Sequence, residues 1–493
     1  MPVGLKAEPI TPRSQELVLS FALDRSAHQP LAQQLVLALT SEIRRGRLRP
    51  GDRVPSSRKL AGELGVHRNT VVAAFDELVA QGWLETTRAS HTRVTETLPI
   101  AEQTRHPRSR TMGFDVRPWL NSSPSFEAVP RDVLDFSGGL PDARLFPAEV
   151  LARAFRRSLR RSAGALLDFG DPAGDRRLRT SLAAMLSAAR GLGVTADDLF
   201  LTRGSQYALH LLSLALVGPS DTVAVESPGY PSAREAFSFL GAKLMPIAVD
   251  GEGIDVAALS RQVDKTPIRA VYLTPHYHDP TTVTLSARRR LALLNLAKRH
   301  RFAIIEADYD YEFRYDGAPI LPMASTDPDG VVIYVGTLSK ALAPGLRLGF
   351  VLAPPALMKT LLMLRGQIDR QGDHALERAL SELLDDGELV RHSLRARRVF
   401  HARRDRLVSL LRSQLSGALE FETPRGGLAL WARVADDIDV EDWAARCLRS
   451  GVRFFTGRLY DPAARRLPFV RLGFAHLNED ELAEAVARMA RCL

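Results

Sequence analysis

Only two of the 493 residues are cysteine, Cys447 and Cys492, which excludes a disulfide framework and a cysteine-built metal site. No metal is expected. No apolar run approaches the roughly 18 residues that a membrane span requires. The opening stretch, MPVGLKAEPITPR, lacks the apolar segment of a secretory signal. No internal repeat is evident. These absences point to a cytoplasmic protein without a membrane partner. Its 45% hydrophobic and 25% charged content is that of a globular chain, and its length exceeds a single core, so two or more domains are expected.

Sixty-six Lys and Arg stand against 57 Asp and Glu, a mild net charge of +9. The distribution is more informative than the sum. Residues 41–75 carry eight bases (Arg44, Arg45, Arg47, Arg49, Arg53, Arg58, Lys59, Arg68) and three acids (Glu42, Asp52, Glu63). A patch of this kind attracts polyphosphate, although a solvated helical surface has the same composition.

Periodicity gives that patch a form. Leu31, Leu35, Leu39 and Ile43 recur at helical spacing, and RPGDRVP interrupts them. SSRKLAGELGV predicts a short helix capped by Ser56 or Ser57, packed through Leu60 and Leu64 and ended by Gly65. A third helix follows, with Val71, Phe75 and Leu78 on one side, and then WLETT and HTRVTET read as a β-hairpin. Three helices and a hairpin make the winged helix-turn-helix plan, whose third helix enters the major groove of duplex DNA by its N-terminal end. Here that end carries His67, Arg68, Asn69 and Thr70. Arg reaches guanine edges or phosphate, Asn reaches adenine, and Thr caps the helix or touches phosphate.

The run GDRVPSSRKLAGELGVHRNTVVAAFDELVAQGWL resembles the GntR-type winged-helix signature. The resemblance implies DNA contact by Arg58 and Arg68, helped by Ser57 and Thr70. The wing departs from the pattern, with TTRASHTRV where a Gly-x-Gly turn is usual, so Arg88 or Arg93 would supply its charge. Residues 17–95 are assigned to this domain. Residues 96–130, rich in Pro, Ser and Arg, read as a linker in which Trp119 docks against a domain.

From about Val133 onward, short apolar runs alternate with helical patterns, which predicts an α/β domain over 131–493 with a mainly parallel sheet covered on both faces. In such sheets ligands sit beyond the carboxyl ends of the strands. Gly204, Ser205 and Gln206 open a helix there and offer backbone N–H groups to an anion. Tyr230 presents a ring for stacking, and Tyr309 ends the run IIEADY. Thr337, Ser339 and Lys340 end another strand, and Arg347 adds a bidentate phosphate grip. Each feature alone has a plainer reading as a cap, a packing ring or a surface charge. Together, a phosphate cradle, a stacking ring and a lysine able to form a Schiff base describe a pocket for pyridoxal 5′-phosphate.

Residues 133–493 resemble the fold-type-I aminotransferases, and more closely the aminotransferase-like domain of MocR regulators, through DFSGGLPDARLFP, TRGSQYAL, VESPGYPSAREAF and VGTLSKALAPGLRLGF. That family joins a GntR-type winged helix to this domain in this order. The resemblance implies a large domain with a smaller C-terminal α+β subdomain, a homodimer, and a Schiff-base lysine at Lys340. By the same resemblance Ser205, Gln206, Thr337, Ser339 and Arg347 hold the phosphate, Tyr230 stacks on the ring, Tyr309 approaches its phenolic oxygen, and Arg471 grips an amino-acid carboxylate.

Two positions depart from the family. Ala307 stands where an Asp usually partners the pyridine nitrogen, and strand alternation turns Asp308 to the opposite face. Asp279 stands where a neutral side chain usually approaches the ring oxygen, so it needs a proton or a partner, or else meets a ligand amine. The expected function is a DNA-binding transcriptional regulator that senses pyridoxal phosphate, or an amine or amino-acid effector, through Lys340. Two alternatives stand beside it: an active aminotransferase, which Ala307 disfavours, and a regulator that uses the fold as a cofactor-free dimer scaffold.

Overall fold

A computed structural model describes residues 23–27, 29–87, 91–99, 130, 132–317 and 320–493. The chain forms two compact units that divide between residues 119 and 120. Arg88, Trp119 and most of the expected linker lie outside the described residues.

The first unit is built on helices α1 (Leu31–Arg44), α2 (Ser57–Leu64) and α3 (Arg68–Ala80). Leu35, Leu39 and Ile43 of the α1 stripe are buried against Leu60 of α2 and Val71, Phe75 and Leu78 of α3. Burying one such leucine contributes about 1.5–3 kcal/mol, so this small core depends on each of them. Ser56 caps α2, its Oγ accepting from Lys59 N at 3.3 Å. Gly65 closes α2 in the left-handed conformation (φ 62°). The cap of α3 is His67 rather than Thr70, its Nδ1 accepting from Asn69 N at 3.2 Å. Strands β1 (Leu84–Thr87) and β2 (His91–Val94) pair antiparallel, with Leu84 opposite Val94. Val54 N donates to Thr92 O at 3.0 Å, which ties the α1–α2 connection to the hairpin.

The second unit opens with β3 (Leu134–Asp135), α4 (Ala148–Leu166) and α5 (Arg176–Arg190). Its main sheet contains β4 (Leu199–Thr202), β5 (Thr222–Ser227), β6 (Lys243–Asp250), β7 (Gly253–Ile254), β8 (Ala270–Leu273), β9 (Ala303–Asp308), β10 (Val332–Thr337) and β11 (Gly349–Leu352). The spatial order is β4-β11-β10-β9-β8-β5-β6-β7. From β10 through β6 neighbouring strands are parallel, while β11 runs antiparallel to both β10 and β4. Every residue of β4, β8, β10 and β11 is buried, as a sheet covered on both faces requires.

Helices α6 (Ser205–Leu216) and α7 (Pro231–Ser238) follow β4 and β5. A second sheet holds β12 (Leu419–Glu420), β13 (Ala429–Val434), β15 (Phe455–Thr456) and β16 (Phe469–Gly473), all antiparallel, while β14 (Val452–Arg453) pairs parallel with β3. This is the smaller C-terminal subdomain. Its core centres on Trp443, Leu430, Leu472 and Phe474, none of them measurably exposed.

Candidate functional site

Parallel β5, β8, β9 and β10 end at one edge of the main sheet, and the chemistry-bearing residues follow those ends. Lys340 lies three residues past β10 and is partly buried. Its Nζ donates to Gly139 O at 2.9 Å and to Gly138 O at 3.3 Å. Burial, aided by the nearby Arg471 guanidinium, lowers the Lys340 amine to about 8, against the opposing pull of Asp279 and Asp310. An amine titrating there has an appreciable neutral, nucleophilic fraction near neutral pH.

Around the β10 end, Thr337 Oγ1 accepts from Ser339 N at 3.1 Å and donates to Leu348 O at 3.2 Å. Ser339 is 8% exposed, and its Oγ has no hydrogen-bond partner. Gly204 caps α6 with φ 83°, and a Cβ there would lie 2.8 Å from Arg347 Nη2. Only glycine lets the guanidinium come this close to the helix start. Arg347 thus lies against the start of α6, whose first residues are Ser205 and Gln206, and the orphaned Ser339 hydroxyl lies two residues past β10; helix-start amides and a guanidinium both suit an anion. The Gln206 side chain itself turns to Ser232 O at 3.4 Å.

Tyr230 caps α7 and has Asp279, Arg471 and Arg347 as electrostatic neighbours, and burial raises its phenol. The Tyr309 hydroxyl donates to Tyr277 O at 2.7 Å, and burial holds its phenol well above the usual range. Ala307 packs into the core beside Ile305 and Val335. Asp308 faces the other way: Tyr334 donates to its Oδ2 at 2.5 Å, and Arg190 stands 3.5 Å from it. Strand alternation therefore assigned the two faces of β9 correctly.

Arg471 comes from the middle of β16, between Trp431 and Phe455. Its Nη2 lies 3.0 Å from Asp279 Oδ2, and both residues are more than nine-tenths buried. The Tyr460 phenol is an electrostatic neighbour of this guanidinium. The guanidinium presses on Gly139, where an added Cβ would lie 2.8 Å from Nη1. Asp279, which needed a proton or a partner, has a partner.

Three participants were not singled out from the sequence. Asp310 is 1% exposed, its Oδ1 has no partner, and burial raises its carboxyl well above the carboxylate range with Lys340 and Arg471 nearby. Tyr460 and the Gly138–Gly139 turn are the others. Asp310 directly follows the run IIEADY and DFSGGLPDARLFP holds the glycines, so motif position alone could have flagged both. A cavity of about 1260 Å³ abuts this region, lined among others by Leu338, Ala341, His276, Tyr277 and Trp431, although Lys340 itself is not among its walls.

In the first unit, Arg58, His67, Arg68 and Asn69 are exposed, and Ser57 and Thr70 are half-buried. Arg68 Nε reaches Ser57 Oγ at 3.5 Å, which brings the starts of α2 and α3 together. The surface is basic, with donors for phosphate and base edges.

Comparison with known proteins agrees with this division. Residues 31–94 match the bacterial regulatory proteins of the gntR family, and residues 131–489 match aminotransferase class I and II. The probable rhizopine catabolism regulatory protein MocR of Rhizobium meliloti is 32% identical over 439 residues, 88% of this chain and 87% of that relative. The HTH-type transcriptional regulator TauR of Rhodobacter capsulatus is 32% identical over 500 residues, 97% of this chain and 99% of its own. Among solved structures, LysN, an alpha-aminoadipate aminotransferase from Thermus thermophilus, aligns with a TM-score of 0.69 at 27% identity, over 74% of this chain and 92% of its own. Likeness to regulators runs nearly end to end, whereas likeness to this enzyme is confined to part of the chain. No helix among the described residues is long and apolar enough to cross a membrane. The chain belongs to the MocR-type regulators of the GntR family, which join a DNA-binding helix-turn-helix domain to an aminotransferase-like, effector-sensing domain.

Proposed function

We propose that this regulator grips duplex DNA through the starts of α2 and α3 and that its second unit binds pyridoxal 5′-phosphate as an amine sensor anchored at Lys340. One observation carries the reading: the lowered amine of Lys340 stands at the same strand end as an unpartnered, buried Ser339 hydroxyl and the Arg347–Gly204 cradle. These residues fit the cofactor. Ser339, Thr337, Arg347 and the α6 amides of Ser205 and Gln206 would hold its phosphate, Tyr230 would cover its ring, and Tyr309 would stand near its phenolic oxygen. Bound there, the cofactor supplies an electrophilic carbon open to primary amines.

Other features favour sensing over turnover. Ala307 offers no carboxylate to a ring nitrogen, and Asp308 is engaged on the far face of β9. The Gly138 and Gly139 carbonyls hold the lysine amine until a competing group takes it. A ligand shifts the DNA-binding equilibrium only by binding two states of the protein unequally. Two copies of the chain would present two recognition helices to paired half-sites.

Full-length protein incubated with pyridoxal phosphate is expected to develop the absorption band of a lysine imine. Lys340→Ala is expected to abolish that band while leaving DNA binding by the cofactor-free protein intact. Amines added to the wild type are expected to change DNA affinity without sustained amino transfer to a keto acid. A band that survives in Lys340→Ala, or steady turnover, would sink the sensor reading. Failure to bind any duplex from the protein's own genomic neighbourhood would sink the regulator.

A further inference from the structure

The pairing of Arg471 bears on which amines the site admits. An arginine fork recognises a carboxylate by offering it two parallel N–H groups. Here Asp279 Oδ2 stands 3.0 Å from Nη2, the Tyr460 phenol is an electrostatic neighbour of the same guanidinium, and the Gly139 backbone lies against Nη1. Asp279 is anchored through its backbone, its N donating to Thr274 Oγ1 at 3.1 Å. Thr274 is in turn held by Glu226, whose Oε2 accepts from Thr274 N at 2.9 Å and from Thr274 Oγ1 at 3.1 Å. A ligand carboxylate reaching Arg471 would have to displace an anchored carboxylate and then sit beside it, two like charges in a buried site.

The same residue favours a different ligand. Asp279 Oδ1 is buried and has no partner, and Asp310 Oδ1 is in the same condition. Both carboxyls are electrostatic neighbours of Lys340, so they stand close to where an incoming amine would react. An amine N–H satisfies the Asp279 acceptor, whereas a carboxylate cannot.

Resting on the reading of this unit as an amine sensor, we infer that Asp279 acts as a built-in counter-carboxylate for Arg471, so that the effector is a primary amine lacking an α-carboxylate. Asp279 is thereby a specificity-determining residue: it fills the acid position of an amino acid and leaves the amine position open.

Matched pairs that differ only by the α-carboxylate test this: ethylamine with alanine, and cadaverine with lysine. Full-length protein loaded with pyridoxal phosphate is titrated while the imine absorption is followed. Each amine is expected to half-saturate at a concentration about tenfold or more below its amino acid. Asp279→Asn, which keeps an oxygen for Arg471 but removes the charge, is expected to reverse that order. A wild type that takes the amino acids as well as the amines, or neither, overturns the inference.

A second arm needs no cofactor. Propionate added to the full chain is expected to raise the melting temperature of Asp279→Asn and to leave the wild type unmoved. Equal stabilisation of both proteins, or of neither, overturns the claim that Asp279 blocks Arg471. If pyridoxal phosphate gives no band in either protein, the sensor reading fails, and the propionate arm still decides the ion-pair claim.

Discussion

Arg58, Arg68 and Asn69 stand in solvent at the starts of α2 and α3, whereas Arg471, Asp279 and Asp310 are 5%, 8% and 1% exposed. Both regions are charged, yet they recognise by opposite physics. Exposed bases act at a distance, are screened by salt, and gain affinity by releasing counterions from a phosphate backbone. Buried charges act only in contact and depend on a partner, so they select by rejecting whatever would break the pairing. The first region suits a long polyanion met again and again; the second suits one small molecule chosen for its shape and charge.

The largest expected effect tests the buried side of this contrast. Arg471→Ala strands Asp279 without its cation, and such a loss costs about 3–5 kcal/mol. Chemical denaturation of the full chain should show it as a lowered midpoint for the second unit. Replacing Asp279 and Arg471 together with apolar residues of similar volume should restore much of the loss. A negligible change in Arg471→Ala would mean that the pair is solvated and the contrast too sharp.

A pH profile sharpens the same side. The Lys340 amine reacts when neutral, so the rate of imine formation should climb about tenfold per pH unit and level off near about 8. A solvent-exposed lysine would keep climbing toward its ordinary value of 10.5. Asp279 holds the lysine proton on, so Asp279→Asn should move the plateau to lower pH. Stopped-flow absorbance after mixing with pyridoxal phosphate reads both.

The exposed side should answer differently. Arg68→Ala is expected to weaken specific DNA binding by about 1–3 kcal/mol if the side chain reaches a base edge. A phosphate contact would instead lower the salt slope of binding by about one unit. Fluorescence anisotropy at several salt concentrations separates the two, and unchanged stability is expected in either case. Smallest of all, Ser56→Ala removes the α2 cap and should cost about 1 kcal/mol of stability in the first unit without touching the second.

Local features were legible because local chemistry fixes them. The α1 stripe, the Gly65 stop and the two faces of β9 follow from periodicities that need no tertiary information. The placement of Ser339 and Lys340 just past β10 was legible because apolar runs between helical patterns mark parallel strands and their ends. The choice of Ser56 over Ser57 as cap was open, since both hydroxyls stand at the boundary. The partners of Lys340 were hidden for another reason: Gly138 and Gly139 lie 202 and 201 residues away in sequence. The pairing of Arg471 with Asp279 was hidden likewise, because it joins the smaller subdomain to the β8 end and no pattern in either segment announces the other.

The turn at Gly138 and Gly139 has a mechanical consequence. It follows β3 almost at once, near the beginning of the second unit, and its carbonyls are spoken for by the lysine amine. Any molecule that draws that amine elsewhere leaves two oxygens in want of a donor. Chemistry at position 340 is therefore felt first at a turn 201 residues earlier in the chain.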